Sequence, residues 1–363
     1  MAVSIDSLQV RVVRVPFAEP IKHPFMGERT QYVIVLVQMR CSDGSEGLGY
    51  AAVENIKFAA AVQSILLGLE DVLRGKDPLR RAFLHDLMWN VTVDLLHDGA
   101  ANIAMAALDM ALWDICGKHA GLPVWRLLGG YRDKVPVYAS GNLWRHHSTE
   151  RLQADSVSLV EQGYRAMKLR MGGGRPHAED VARARAVREA VGPDVEIMVD
   201  ALWGCTPLEG VRLARALAEL NFTWLEEPVR EGDFAGLAQV KAENALPIAA
   251  GERISRLDMF DDLIPAIDHA IIDVSHLGGI TQSVRAMALL DVRNLPISTH
   301  SYPLISMHVV AAARTGAWVE FMDWWHPVFK DAPVPVDGYL HLPEKPGLGL
   351  EIDEAYVAHN PVQ

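Results

Sequence analysis

Apolar residues in the second half of the chain fall into short continuous runs that alternate with helical patterns. Three such runs, at residues 195–200, 222–228 and 246–252, each reach an acidic residue at or near their end. A continuous apolar run of roughly four to eight residues between turn signals is typical of a strand buried on both faces. Between the first two runs, apolar spacings of three and four over residues 207–220 predict an amphipathic helix. The repetition of strand, helix and strand predicts a parallel sheet.

The same alternation continues over residues 134–320 and predicts the α/β class. Helical patterns at residues 149–163 and 178–191 separate further apolar runs. The predicted strands are at residues 135–140, 164–170, 195–200, 222–228, 246–252, 270–273, 297–300 and 318–320. Eight strand-plus-helix units predict a modified TIM (β/α)8 barrel, whose active site lies at the carboxyl ends of the strands.

The N-terminal part has a different pattern, which predicts an α+β capping domain. Strands are predicted at residues 8–13 and 32–39, and helices at residues 56–73, 79–91 and 101–117. Residues 23–29 are predicted to form a loop, either a mobile lid or a plain connection. The predicted domains are a capping domain at residues 1–130, a barrel at 131–325, and a C-terminal segment at 326–363 that packs back on the capping domain.

The charge balance narrows the class of partner. Acidic residues number 46 against 34 basic residues, so the net charge is −12, which argues against nucleic acid and anionic membrane as partners. An anionic small molecule stays compatible, because a metal ion and a few basic residues reverse the local field. Three scattered cysteines and the lack of a signal-peptide pattern predict a reduced, cytoplasmic setting. No apolar run approaches about 18 residues, so no membrane span is expected.

Ionisable residues stand at the ends of the predicted barrel strands. Asp200, Glu226 and Glu252 follow three successive strands, so their carboxylates are expected on one rim, as oxygen ligands suited to Mg²⁺. A single acid at such a position is more simply the cap of the next helix, but three in register favour a metal site. The other strand ends carry Lys168, Arg170, Asp273, His300 and Glu320.

Taken in order, these motifs resemble the enolase superfamily, in its mandelate racemase subgroup. The resemblance covers essentially the whole chain. The segment 109–118 and Leu127-Leu128-Gly129-Gly130 resemble the part of the family that leads into the barrel. The barrel motifs are Lys168-Leu169-Arg170, Val199-Asp200, Leu225-Glu226-Glu227-Pro228, Gly251-Glu252, Asp273 before Gly278-Gly279, Ser298-Thr299-His300, and Glu320.

The resemblance implies a role for each rim residue. Asp200, Glu226 and Glu252 would hold Mg²⁺. His300 and Asp273 would form the dyad that removes the proton α to a substrate carboxylate, through an ene-diolate. Glu320 would hydrogen-bond that carboxylate, and Lys168, in the first place of the family's Lys-x-Lys pair, would help to hold it. Family members also imply a homo-oligomer.

Two departures from the family pattern shape the expected reaction. Arg170 replaces the second lysine, and arginine is almost never deprotonated, which puts two-base racemisation in doubt and leaves Lys168 as the possible second base. Leu202 replaces an asparagine that often reaches the ligands in the family. We therefore expect dehydration of an acid sugar, an aldonate or aldarate, to a 2-keto-3-deoxy acid. The alternatives are a racemase or epimerase of a 2-hydroxy acid and, from another class, a non-catalytic binding protein that retains the metal.

The substrate itself is less determined by the sequence. Specificity is expected from the capping segments at residues 23–29 and at Glu54-Asn55. Arg29 either meets a distal carboxylate, which would favour a diacid, or has a surface role.

Overall fold

The N-terminal part of the protein is an antiparallel sheet packed on helices. The structure, a computed structural model, describes residues 3–23, 27–172 and 174–362. The three strands pair in the order β1-β2-β3. They are β1 Ile5–His23, β2 Gly27–Cys41 and β3 Glu46–Val53. The helices are α1 Ile56–Leu73, α2 Arg81–Val91, α3 Ala100–Ala120 and α4 Val124–Leu127, with a 3₁₀ turn at Val93–Leu95.

The first hairpin is longer than the sequence pattern suggests. After a register shift beyond Pro16, pairing resumes and continues to His23, which lies opposite Gly27. The prediction of a loop over residues 23–29 is therefore wrong for 23 and 27–29, while residues 24–26 lie outside the described residues. The prolines at positions 16, 20 and 24 interrupt the alternation, so the sequence signal for a strand ended too early.

Helix α3 is the core of the capping domain. By length and composition alone it could cross a membrane, but 89% of its most apolar window is buried inside the protein. A helix that is apolar on all sides is expected at such a central position. Asp114 and Lys118, four residues apart on this helix, form an ion pair at 2.7 Å.

The second part is a closed barrel of parallel strands. Strand β11 pairs with β4 and so closes the ring, which confirms the predicted fold. The strands are β4 Lys134–Ala139, β5 Ala166–Arg170, β6 Glu196–Asp200, β7 Trp224–Glu226, β8 Ile248–Ala250, β9 His269–Asp273, β10 Ile297–His300 and β11 Gly316–Phe321. The connecting helices are α5 Thr149–Glu161, α6 His177–Val191, α7 Pro207–Ala218, α8 Phe234–Ala242, α9 Phe260–Leu263, α10 Ile280–Asp291 and α11 Pro303–Ala312.

The barrel departs from eight full strand–helix units in two places. The connection from β8 to β9 holds only the one-turn helix α9 between 3₁₀ turns at Leu257–Met259 and Ile264–Ala266. After β11, the described chain has a 3₁₀ turn at His326–Val328 in place of the expected eighth helix. Beyond this turn the chain continues into the C-terminal segment.

The C-terminal segment contacts both parts of the molecule. Its strand β12, Tyr339–His341, pairs antiparallel with β4. Its helix α12, Glu354–His359, precedes a β-bridge between Pro361 and Val13 of the capping sheet. The amide of Val362 also donates to the carbonyl of Val12, at 2.9 Å.

Two buried carboxylates of α3 connect the capping domain to the rest. Asp114 accepts hydrogen bonds from the amides of Leu48, at 2.9 Å, and Leu348, at 2.8 Å. Asp109 accepts from the amide and the hydroxyl of Thr281, at 2.8 and 2.5 Å. Gly279 makes this approach possible, because its φ is +116° and a Cβ there would lie 2.4 Å from Asp109 Oδ2.

Candidate active site

A cavity of about 460 Å³ lies where the carboxyl ends of the barrel strands face the capping domain. The structure brings all eight predicted site residues to this end of the barrel. Six of them line the cavity: Lys168, Arg170, Asp200, Glu252, Asp273 and His300. The other two, Glu226 and Glu320, lie beneath it with fully buried side chains.

His300 and Asp273 face each other from the ends of β10 and β9, where they are register partners. His300 Nδ1 lies 2.6 Å from Asp273 Oδ2. The other carboxylate oxygen, Oδ1, accepts from the amide and hydroxyl of Ser275, at 2.7 and 2.5 Å, and from the amide of His276, at 3.0 Å. Asp273 is thus held as an acceptor, so Nδ1 must donate and Nε2 is left to accept a proton.

The remaining contacts of His300 place Nε2 at the cavity. A quarter of the side chain, 25%, is exposed, whereas Asp273 is buried. Nε2 lies 3.6 Å from Glu252. Burial alone would lower the pKa of His300, but the charge of Glu252 and the hydrogen bond to Asp273 outweigh it and raise the pKa to about 10. Nε2 therefore accepts a proton near neutral pH only when a cation held by Glu252 offsets that carboxylate charge. The geometry is that of a histidine base oriented by a carboxylate.

The three predicted metal ligands come from adjacent strands. Asp200 and Glu226 are register partners at the ends of β6 and β7. Glu252 is two residues beyond the end of β8, and the sequence had included it in that strand. Gly251 allows the turn, because its φ is +124° and a Cβ would lie 2.8 Å from the carbonyl oxygen of Ile271. The turn directs Glu252 into the cavity rather than along the sheet.

The donor set of Asp200, Glu226 and Glu252 fits Mg²⁺ in chemistry. Within the described ranges, no three His, Cys, Asp or Glu side chains are grouped closely enough to hold a metal ion. Glu226 Oε1 lies 2.6 Å from Lys168 Nζ, and Oε2 accepts from Trp224 Nε1, at 2.9 Å. Each carboxylate oxygen has two lone pairs, so Glu226 can share them with a cation.

The raised pKa of Glu226 also favours a cation at this rim. Burial raises the pKa of this group to about 7, and the charges of Asp200, Glu320 and Glu252 add to the increase, although Lys168 opposes it. Several carboxylates crowded at a buried rim repel one another, and a divalent cation relieves that repulsion. Oxygen-only ligands of this kind suit Mg²⁺.

Lys168, at the floor of the cavity, forms a buried ion pair with Glu320 beneath it. Lys168 Nζ lies 2.8 Å from Glu320 Oε1, and only 1% of the lysine side chain is exposed. Burial alone would lower the pKa of Lys168, but Glu226 and Glu320 outweigh it and raise the pKa well above its ordinary value. Glu320 also accepts from the Ser140 hydroxyl, at 2.5 Å, and from the Ser301 amide, at 2.8 Å. Both groups are therefore engaged as a charged pair.

Arg170 is fixed on the side of the cavity away from His300. Strands β5 and β10 are three places apart around the ring. The guanidinium donates to the carbonyl and hydroxyl of Ser140, the latter at 2.9 Å, and lies 3.6 Å from Glu320. Its carbon is 4.1 Å from the centre of the Trp144 ring, a stacking contact. Arg170 is thus a permanent cation at this side of the cavity.

The capping domain and the end of β11 give the cavity an aromatic wall. The ring of Tyr32 is stacked on that of Trp324, with centroids 5.1 Å apart, and Phe17 contacts both rings. Trp144 continues the wall on the far side of Trp324, at 6.0 Å. No pattern in the sequence predicts this wall, because its residues come from distant segments and share no periodicity.

The remaining sequence-predicted positions are also at the cavity. Arg29 lines it and forms an ion pair with Glu54, so the surface role considered for Arg29 is wrong. Leu202 lines the cavity as well, and its amide donates to Asp200 Oδ1 at 2.8 Å. The Leu202 backbone thereby orients a predicted metal ligand, while its side chain offers only apolar surface.

Family comparisons agree with this architecture. A family model described as the enolase C-terminal domain-like family matches residues 151–356. A second, the N-terminal domain of mandelate racemase and muconate lactonizing enzyme, matches residues 7–129. The first region covers the barrel from helix α5 onward and most of the C-terminal segment, and the second covers the capping domain.

Individual relatives are similar over nearly the whole chain. A 3,6-anhydro-α-L-galactonate cycloisomerase from Streptomyces coelicolor is 31% identical, over 96% of this chain and 97% of that protein. An L-talarate/galactarate dehydratase from Salmonella typhimurium is 30% identical, over 90% of this chain and 82% of that protein. A crystal structure of the latter with Mg and L-lyxarohydroxamate superimposes with a TM-score of 0.94, at 27% identity, covering 100% of this chain and 94% of that chain.

Proposed function

This chain belongs to the mandelate racemase and muconate lactonizing enzyme family of the enolase superfamily, and on that premise we propose that it is a Mg²⁺-dependent dehydratase of acid sugars. The reaction removes the proton α to a carboxylate and expels the hydroxyl group on the β-carbon. One molecule of water leaves, and the enol that remains becomes a 2-keto-3-deoxy acid.

The single observation that carries the proposal is the pairing of one base with one permanent cation. His300 offers Nε2 to the cavity and is oriented by Asp273, at 2.6 Å. At the corresponding place across the barrel mouth, Arg170 cannot take up a proton. Lys168 is engaged by two carboxylates at 2.6 and 2.8 Å, so its nitrogen has no free lone pair. Racemisation needs a base on each face, whereas dehydration needs only one.

The other residues bind and orient the substrate. Asp200, Glu226 and Glu252 would hold Mg²⁺, which, when bound, stabilises the negative charge that develops on the substrate carboxylate. Lys168 and Arg170 add two fixed positive charges beside that carboxylate. Glu320 holds both cations in place, at 2.8 and 3.6 Å. The aromatic wall excludes water from the cavity and faces the carbon chain of the substrate.

His300 serves both proton transfers in this scheme. Nε2 first takes the α-proton, and the imidazolium is stabilised by Asp273. The same nitrogen then donates the proton to the departing β-hydroxyl on the same face of the substrate. The electron pair of the former C–H bond becomes the new C=C bond as the C–O bond breaks, so atoms and charges balance.

A second candidate is the opening of a cyclic acid sugar, favoured by the full-length similarity to a cycloisomerase. If the β-oxygen bridges two carbons of a ring, the same elimination opens the ring and no water leaves. His300 would then return its proton to an alkoxide that stays on the product.

The cytoplasmic location and the homo-oligomeric assembly stay predictions from the sequence.

The test follows three products from the same incubation in D₂O. Each epimer of an aldonate and an aldarate is supplied to the Mg²⁺-loaded enzyme, and keto acid, inverted substrate and α-deuterated substrate are measured. We expect keto acid from one α-epimer and no inverted substrate. Accumulation of inverted substrate without keto acid would overturn the dehydratase proposal in favour of the racemase or epimerase alternative.

A further inference from the structure

Arg145 is a buried cation at the cavity that the proposed reaction does not use. It lies in the loop between β4 and α5, with 6% of its surface exposed. It lines the central cavity and also an adjoining outer cleft lined by Gly172, Leu202 and Arg212. His300 lines the first and not the second.

The guanidinium of Arg145 makes no hydrogen bond or ion pair with any residue in the described part of the chain. Its Nε atom is fully buried and has no partner there. The backbone is nevertheless well held, because the Arg145 carbonyl accepts from Arg175 and from Arg183, the latter at 3.1 Å. The loop is thus fixed by its main chain, while the side chain is left for another partner.

The other cations that face the cavity near Arg145 have partners. Arg29 is paired with Glu54, and Lys168 with Glu226 and Glu320. Arg170 is bonded to Ser140. An arginine is almost never this buried without a counter-charge, because removing its charge from water is unfavourable. Burial lowers the pKa of Arg145, and the charge of Arg170 lowers it further. Asp200 offsets this decrease only in part, which reflects the missing counter-charge.

We propose that Arg145 binds a second carboxylate of the substrate, so that the natural substrate is a diacid. The inference rests on the proposed function, which already assigns the reacting carboxylate to the surroundings of Lys168. Because Arg145 also borders the outer cleft, the anion it binds lies toward that cleft, away from His300. The planar fork of a guanidinium matches a carboxylate with two parallel hydrogen bonds. Arg145 is thus a specificity-determining residue.

The kinetic test compares galactarate, a diacid, with galactonate, which carries one carboxylate on the same carbon skeleton. In Arg145→Gln we expect kcat/KM for the diacid to fall about 100-fold, mainly through KM, while the value for the monoacid changes less than about threefold. Arg145→Lys should recover part of the loss, since it restores the charge without the fork. Arg185→Gln, a control that removes an exposed cation of helix α6 outside the lining of both cavities, should leave both substrates unaffected. Equal losses for the two acids in Arg145→Gln would overturn the proposal.

A stability measurement separates substrate binding from a structural role. Removing an unpaired buried charge should leave the melting temperature of unliganded Arg145→Gln equal to or above that of the wild type. A fall of several degrees would mean that the guanidinium stabilises the fold itself, and the proposal would be wrong.

A binding measurement keeps this proposal separate from the dehydratase proposal. Adipate and hexanoate have six carbons and no α-hydroxyl, so neither undergoes dehydration, and they differ by one terminal carboxylate. By calorimetry with Mg²⁺-loaded protein, adipate should bind the wild type at least tenfold more tightly than hexanoate, and Arg145→Gln should abolish the difference. That result supports Arg145 even if no keto acid is ever formed. Equal affinity of the wild type for both acids overturns the role of Arg145 and leaves the dehydratase proposal intact.

Discussion

Asp273→Asn tests the orientation of the base, because it changes one atom of the dyad and almost nothing of its shape. In the wild type, three donors from Ser275 and His276 converge on Oδ1. The amide oxygen of asparagine will therefore take the Oδ1 position, and the NH₂ group will face His300 Nδ1. Nδ1 must then accept, which places the imidazole proton on Nε2, and Nε2 can no longer take a proton from the substrate.

The size of the effect follows from the bonds that change. To act as a base, His300 must return to the original tautomer. In that tautomer the hydrogen bond to residue 273 is lost, and the Nδ1–H of His300 faces the side-chain N–H of the asparagine. Losing a hydrogen bond to a charged group and leaving a buried donor unsatisfied together cost about 3–6 kcal/mol. At about 1.4 kcal/mol for each factor of ten, the rate of proton removal should fall roughly 100- to 10,000-fold.

The assay is the rate at which solvent deuterium enters the α-position of the substrate in D₂O. Ser275→Ala is the matched control, because it removes one donor to Oδ1 and keeps the bond between Oδ2 and His300. We expect the control to lose less than about tenfold and both variants to melt within a few degrees of the wild type. Exchange by Asp273→Asn within a factor of ten of the wild type would show that Asp273 does not set the tautomer of the base.

Two further variants test the metal site and the domain junction. Glu226→Gln should abolish Mg²⁺-dependent turnover without loss of fold, because Glu320 still accepts from Lys168. A calorimetric titration measures Mg²⁺ binding, and circular dichroism measures the fold. Turnover that Mg²⁺ restores in this variant after chelation would refute the ligand assignment. Gly279→Ala should lower the free energy of unfolding by about 2–4 kcal/mol in urea, since its Cβ meets Asp109 and its φ is +116°. Gly232→Ala has a φ of +78° but nothing within 4 Å, so it measures the backbone part alone, and equal losses in the two variants would exclude the clash.

The barrel and its rim were predictable because their signals are local. Each strand is a continuous apolar run, and parallel strands place their last residues on the same edge, so Asp200 and Glu226 could be paired from sequence alone. Even at this rim, the sequence placed Glu252 inside its strand rather than beyond the strand end. The turn at Gly251 ends the strand two residues earlier, and a continuous run does not reveal where the backbone changes direction.

The walls of the cavity were not predictable for a physical reason. Phe17 and Tyr32 belong to a hairpin interrupted by prolines, and they meet Trp324 only because two domains pack together. Arg145 is harder still, because its sequence neighbourhood resembles an ordinary polar loop. What distinguishes this residue is burial without a partner, and that property exists only in three dimensions.

The hydrogen bonds of Asp114 bear on how the protein forms during its synthesis. One of its donors, Leu348, is 234 residues further along the chain. At about 5–20 residues per second, the ribosome delivers that donor roughly 10–50 s after the carboxylate itself has been made. In that interval the capping sheet also lacks its bridge to Pro361, and the carboxylate on α3 is short of one bond. The domain that is translated first is therefore completed last, and until the C-terminal segment arrives, chaperones have an unfinished surface to protect.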